Sequence, residues 1–342
     1  MKLIKTVDAV GSVLVHDLTQ IIKGVTKDAV FRKGHIVREE DIPVLLSIGK
    51  EHLYVWEADE NMLHENEAAE MLCAVCKDSR MERTEVKEGK IEIIAACDGL
   101  LKINKEKLQA VNSLGQMMIA SRHGNTPVKK GDKIAGTRII PLVIEKDKME
   151  KMQAVCGSEP IFKLLPYVRK KAAIITTGSE VYYGRIKDTF TPVVEAKLAE
   201  YGIETVSKII LSDEHEQITA AICDAIKNHG AEMVLCTGGM SVDPDDKTPL
   251  AIKNTGASIV SYGAPVLPGA MFLLAYYQNE IPVMGLPGCV MYAKRTIFDL
   301  VLPRVAANDK VTAQELALLG EGGLCLNCES CTYPNCGFGK GW

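Results

Sequence analysis

Between Ala172 and Val305 the apolar positions fall into two alternating rhythms. Short, nearly continuous runs with β character read as strands: AAIIT, IETVSKIIL, MVLCT, SIVSYG and IPVMGLPG. Between them lie helical patterns. In IKDTFTPVVEAKLAEYG, Ile186, Phe190, Val193, Val194 and Leu198 recur at helical spacing, Lys187 and Asp188 belong to the helix start, and Gly202 is a stop. SDEHEQITAAICDAIKNHG reads as a helix capped by Ser212 or Asp213, with acids in its first turn. TPLAIKNTG is a short helix, PGAMFLLAYYQNE an apolar helix, and CVMYAKRTIFDLVLPRV a last helix. This alternation predicts a parallel sheet covered on both faces, with ligands outside the carboxyl ends of the strands.

The first ~165 residues read differently. VGSVLVH, EHLYVWE, KIEIIAA and DKIAGTRIIPLVI are β-like, IPVLLSIGK and NEAAEMLCAVCK are helical, and VKKGDKIAG resembles a turn between short strands of a small barrel. Pro160 and Pro166 flank a predicted linker. The expected division is a mixed α+β region over 1–165, an α/β domain over 166–310 and a cysteine-rich tail over 311–342.

Composition narrows the classes. With 47% hydrophobic and 25% charged residues the chain is an ordinary globular sequence. A net charge of −4 gives no basic field to attract nucleic acid. No uninterrupted apolar run approaches the ~18 residues of a membrane span, and the N-terminus is broken by Asp8 and Gly11, unlike a secretory segment. A cytoplasmic setting is expected.

The chemistry concentrates at the predicted strand ends. CTGGMSVDPDDKTP follows the MVLC strand, turns on Gly238 and Gly239, and then crowds Asp243, Asp245 and Asp246 together. Adjacent glycines let backbone approach a ligand without a Cβ in the way, and amides at a strand end or helix start favour an anion such as phosphate. Acids beside such a site would repel it unless a cation lies between, which suggests Mg²⁺. Glu180, after Gly178 in TTGSE, and Asp213 could join the same rim. The competing reading is that Asp213 and Asp243 to Asp246 merely cap the helices that follow. No Walker lysine pattern and no GxGxxG occurs.

TTGSE, TGGMSVDPDD, PVLPGAM and GLPGCVMYA, in this order, resemble the molybdopterin-binding MoaB/Mog-type domain. The nearest pattern is that of the molybdopterin molybdenumtransferases, the gephyrin E-domain relatives. The resemblance runs from about Lys170 to Val305 and implies a three-layer α/β sandwich on a parallel sheet. It further implies that Gly178, Ser179, Thr237, Gly238, Gly239 and Ser241 line the place of the pterin phosphate or its adenylylated form. Glu180 and Asp246 take the Mg²⁺- or molybdate-associated positions, Asp213 matches the family's first acid, and Pro287 and Gly288 close the pocket. The implied catalytic set is Asp246, Asp213 and Glu180, with Lys247 able to steady the anion. Molybdopterin and molybdate are the implied ligands, a molybdoenzyme the implied client, and a homo-oligomer the implied assembly. The chain departs from that pattern: Asp243 replaces a glycine, Cys289 replaces an asparagine, and no MDGYA segment appears. GSEVYYGRIKDTFTPVVEAKLAEYG and TGGMSVDPDDKT also resemble the competence-damage-inducible family, whose domain of this fold hydrolyses ADP-ribose pyrophosphate. A carrier or sensor without catalysis is the third reading.

The 11 cysteines are unevenly placed. Cys325, Cys328, Cys331 and Cys336 fall in the last 18 residues, spaced C-x2-C-x2-C-x4-C. Four thiolates suit an iron–sulfur cluster or tetrahedral zinc. Cys73 and Cys76 are read as two thiols on a helix face. His16 and His123 take surface or turn roles, and His215 lies beside Asp213.

Overall fold

Lys171–Thr177 (β1) carries the unbroken apolar run Ala172 to Ile175 because both of its faces are covered: every residue after Lys171 is buried. The computed structural model describes residues 2–22, 26–55, 61–241 and 246–341. Asp243 and Asp245 lie outside the described residues. Ser179–Tyr182 (α1) and Phe190–Ala199 (α2) follow β1, then Glu204–Leu211 (β2), His215–Lys227 (α3), Met233–Thr237 (β3) and Thr248–Asn254 (α4). Ser258–Tyr262 (β4), Leu273–Tyr277 (β5), Ile281–Leu286 (β6), Ile297–Ala306 (α5) and Ala313–Ala317 (α6) complete the domain.

The six strands make one sheet in the order β2-β1-β3-β6-β5-β4. The first four are parallel, and β5 runs antiparallel to both β6 and β4. Period-2 alternation sorts side chains between two helical layers. Ala172, Ile174, Met233, Leu235 and Met284 pack with Val194 and Leu198 of α2 and Phe298 and Val301 of α5. Ala173, Ile175, Val234, Cys236 and Val283 pack with Ile218 and Ile222 of α3 and Ala251 and Ile252 of α4. The α/β three-layer expectation therefore holds, with an antiparallel edge added to the parallel sheet.

Several sequence expectations are corrected. PGAMFLLAYYQNE is not a helix. Leu273–Tyr277 is a strand hairpinned to β6 through Gln278 and Asn279, both at positive φ, with Glu280 N–H donating to Tyr277 O at 3.0 Å. A short run that is apolar at every position cannot distinguish a helix from a strand buried on both faces, and here the left-handed turn decides. The last helix starts at Ile297 rather than near Cys289. Thr296 accepts from Phe298 N–H while Asp299 accepts from Thr296 N–H, a reciprocal cap that fixes the start. Ile186, expected on the apolar face of α2, lies outside that helix and is exposed; Asp188, just before the N-cap Thr189, accepts from Phe190 N–H at 2.8 Å and Thr191 N–H at 3.1 Å.

Contacts divide the chain into two units: 1–94, 104–122 and 133–162, and 95–103, 123–132 and 163–342. The first is mixed α+β. Its strand Lys133–Ile139 runs antiparallel to Lys90–Ala95 and Met117–Ser121, and its helix Glu65–Cys76 buries Leu72, Cys73 and Cys76. Burial pushes both thiols up, so this C-x-x-C packs and is not activated. VGSVLVH forms only isolated bridges at Val13 and Leu14. No small barrel forms around VKKGDKIAG, because Thr126–Val128 and Lys133–Ile139 belong to different sheets. The stretch between Pro160 and Pro166 is a strand, Phe162–Leu165, with Phe162 and Leu164 buried, rather than a linker. His123 serves a turn through its carbonyl, which accepts from the Thr126 hydroxyl at 2.6 Å. Burial lowers the His16 pKa, and its Nδ1 has no hydrogen-bond partner. No described helix is long and apolar enough to cross a membrane.

Candidate functional site

The carboxyl ends of β1, β2, β3 and β6 lie at the same end of the parallel part of the sheet, and they carry the glycines and acids singled out from the sequence. At the end of β3 both Gly238 and Gly239 adopt positive φ, 84° and 56°. A Cβ on Gly238 would sit 2.0 Å from the Thr177 carbonyl oxygen, and one on Gly239 would sit 2.8 Å from Thr248 Oγ1. Only glycine satisfies both the conformation and the space.

Behind this turn lies a set of threonine hydroxyls that the sequence reading passed over. Thr248 Oγ1 donates to Gly238 O at 2.9 Å and lies 3.2 Å from Thr177 Oγ1. Thr237 Oγ1 donates to Thr176 Oγ1 at 3.2 Å, and Thr176 Oγ1 is 3.1 Å from Thr191 Oγ1. Thr176, Thr177, Thr237 and Thr248 are all buried. Thr237 is thus part of the frame behind the turn. The available signal was a threonine at the ends of β1 and β3 and at the start of α4, but hydroxyl pairing across strands is set by sheet register.

The β1 end is tied to the β2 end. Gly178 N–H donates to Leu211 O at 3.2 Å, and Asp213 Oδ2 accepts from Ser179 N–H at 2.9 Å and from Ser179 Oγ at 3.0 Å. Asp213 does not cap α3: the N-cap is Glu214, without a side-chain bond. The Glu180 carboxylate folds back toward Gly178, whose Cβ would lie 3.0 Å from Glu180 Oε1, and Glu180 is exposed. His215 opens α3, with Nε2 3.2 Å from Glu216 Oε1 and a buried Nδ1 lacking a partner.

Met240, next after Gly239, is fixed at two points. Met240 packs onto β6 so closely that a Cβ at Gly285 would lie 2.5 Å from its Sδ. The Tyr262 hydroxyl donates to Met240 O at 3.2 Å, and burial together with nearby Asp246 raises its pKa. Ser241 is exposed, Asp246 is half-buried, and Lys247 is the N-cap of α4. Tyr262 and Gly285 escaped the sequence reading because both act through a loop distant in sequence. At the β6 end Pro287 is buried and Gly288 is exposed, and a Cβ at Gly288 would meet nothing within 4 Å. Neither backbone strain nor packing within the chain demands a glycine there. Cys289 follows, half-buried, its thiol pushed up by burial. Among the described residues no three His, Cys, Asp or Glu side chains converge to hold a metal ion. The four tail thiols lie elsewhere, around a cavity of their own.

Comparisons with known proteins bear on the same segment. Residues 3–57 match a domain of unknown function, and residues 173–307 match the family described as a probable molybdopterin binding domain. A CinA-like protein of Thermosipho melanesiensis is 30% identical over 113 residues, 33% of this chain and 28% of that protein. A molybdopterin molybdenumtransferase of Synechococcus elongatus is 25% identical over 162 residues, 45% of this chain and 38% of that protein. The crystal structure of the molybdopterin biosynthesis enzyme MoaB of Thermus thermophilus aligns with a TM-score of 0.34 and 18% identity, over 42% of this chain and 98% of that one. The chain spans well under half the length of these curated relatives. Strand order, glycine turns and family match coincide on one stretch, residues 173–307, which is similar to the family described as a probable molybdopterin binding domain.

Proposed function

We propose that this domain binds molybdopterin or adenylyl-molybdopterin and acts in molybdenum-cofactor assembly, with Mg²⁺-dependent molybdenum insertion as its reaction. The observation that carries the reading is the Gly238–Gly239 turn, locked against Thr177 and Thr248 at the end of a parallel strand. A rigid, side-chain-free strand end next to a helix start is suited to an anionic phosphate. Gly288 supports the same reading, since open space over an unstrained glycine is what a closely approaching ligand requires.

Each residue then has a role. Gly238, Gly239 and Ser241 hold the phosphate, with Thr237 and Thr248 fixing the turn behind them. Asp213 orients Ser179 and the Gly178 turn, and so presents Glu180 to the rim. Glu180 and Asp246 supply hard oxygen donors, and Mg²⁺ takes one or two carboxylates plus water and phosphate oxygens, so this donor set fits the ion. Bound there, Mg²⁺ would polarise the pyrophosphate. Asp246 orients the attacking oxygen, Pro287 and Gly288 wall the pocket, and Lys247 steadies the anion.

The resemblance to the competence-damage-inducible family carries a second reading on the same residues, hydrolysis of a nucleotide pyrophosphate of the ADP-ribose type, and CinA-like proteins are among the relatives this chain matches. One experiment separates the two. The anaerobically purified chain is incubated with Mg²⁺, molybdate and adenylyl-molybdopterin, and in parallel with Mg²⁺ and ADP-ribose. AMP release that requires molybdate is the expected result. AMP from ADP-ribose would establish the hydrolase instead, and tight pterin binding without turnover would establish a carrier. Asp246→Asn is expected to lower turnover at least ~100-fold, the scale of removing a positioned catalytic group, with an unchanged circular-dichroism spectrum. Unaltered turnover would remove Asp246 from the mechanism.

A further inference from the structure

Cys325, Cys328, Cys331 and Cys336 all line one cavity of about 240 Å³ in the C-terminal tail. The frame around it is folded. Cys325 N–H donates to Leu267 O at 2.8 Å beside the Leu267–Leu324 bridge, and the Tyr333 hydroxyl donates to Asp299 O at 2.9 Å. Phe338 is buried in the core of the α/β domain, and Cys325, Tyr333 and Cys336 pack against that core. Cys328 and Cys331 are exposed on the outer side. Lys294 lies on the cavity wall, its Nζ donating to Cys328 O at 3.1 Å and Glu329 O at 2.6 Å.

We propose that this cavity is the seat of a four-iron, four-sulfide cluster with one thiolate on each iron. Two observations favour a cluster over a single zinc ion. The four thiols line one cavity of about 240 Å³, far more room than a single ion occupies. Zinc needs all four sulfurs about 2.3 Å from one point, whereas a cluster brings its own bulk and takes one sulfur at each corner. The spacing agrees, because C-x2-C-x2-C supplies three corners from one short segment and Cys336, beyond Tyr333 in the chain, supplies the fourth. Ligation removes the thiol protons. The resulting negative charge is offset by Lys294, whose ammonium is already held on the backbone of the ligand loop. Leu324, Leu326 and Phe338 provide an apolar lining.

The assignment is independent of the pterin reading, since iron content is measured without any pterin. The full chain is reconstituted anaerobically with ferric iron, sulfide and dithiothreitol, the dithiol supplying the two electrons that bring four ferric ions to the two-ferric, two-ferrous cluster, separately with zinc, and desalted. The expected result is about four iron and about four sulfide per chain, with a brown colour bleached by dithionite and an EPR signal on reduction. Cys328→Ser and Cys331→Ser are expected to lose most of the iron with unchanged far-ultraviolet circular dichroism. Cys97→Ser, outside the cavity, retains it. In the wild type the cluster also shields Cys328 and Cys331 from iodoacetamide. Retention of a single zinc with no iron, retention of neither metal, or a Cys331→Ser variant with wild-type iron content and spectrum would each overturn the proposal.

Discussion

Gly238 and Gly288 are both exempt from side chains, but for different physical reasons. At Gly238 the chain itself forbids a Cβ, through positive φ and the Thr177 carbonyl 2.0 Å from where the atom would be. Gly238→Ala is therefore expected to lower stability by about 1–3 kcal/mol and to abolish pterin binding. At Gly288 nothing in the chain objects. Gly288→Ala should change stability by no more than about 0.5 kcal/mol yet weaken pterin affinity. Denaturant unfolding and pterin titration on both variants check the contrast. Equal affinity in wild type and Gly288→Ala would mean that no ligand approaches there. The glycine turn at 238 and 239 was legible in the sequence because the residue type itself permits the conformation. The threonines behind them were not, since a hydroxyl gains meaning only from the neighbour that sheet register gives it.

At the scale of elements, caps and turns decide what apolar periodicity leaves open. Asp299 illustrates this at the start of α5. It accepts from Thr296 N–H at 2.7 Å, from Arg295 at 2.9 Å and from Lys197 Nζ at 2.6 Å, with the Lys197 and Asp299 side chains only 8% and 2% exposed. One carboxylate thus caps a helix and neutralises a buried lysine from α2. Asp299→Ala leaves that lysine buried and unpaired and is expected to cost about 3–5 kcal/mol, read from denaturant midpoints. A loss below ~1 kcal/mol would show that Lys197 finds solvent instead. The same logic separates Asp213 from an ordinary cap. Its position before α3 suggested capping, yet its carboxylate joins two strand ends through Ser179. The β5–β6 hairpin is hidden in the sequence because LLAYY carries no polar position to reveal its period.

For the whole molecule, the tail is the main addition. Apolar periodicity fades after Ala306, and the sequence gives little sign that the last residues rejoin the core. Val311, Leu316 and Phe338 nevertheless share a cluster with Phe298 and Val301. Arg304 holds the returning chain through Asp309 at 2.5 Å and Glu315 at 2.6 Å. Phe338→Ala is expected to destabilise the α/β unit by about 3–5 kcal/mol, seen as a lower thermal midpoint with intact secondary structure at room temperature. An unchanged midpoint would show that the tail packs without supporting the sheet.

By itself the sequence determined the strand–helix alternation, the parallel core of the sheet, the glycine turns at its strand ends and the cysteine spacing. Each follows from local rules: apolar period, glycine conformation and thiol count. Tertiary structure alone decided that β5 is a strand, that Asp213 grips Ser179, that Met240 rests on Gly285, and that four thiols surround a single cavity. These depend on contacts between residues far apart in the chain, whose free energy exists only once the sheet has set their register and the helices have closed over it.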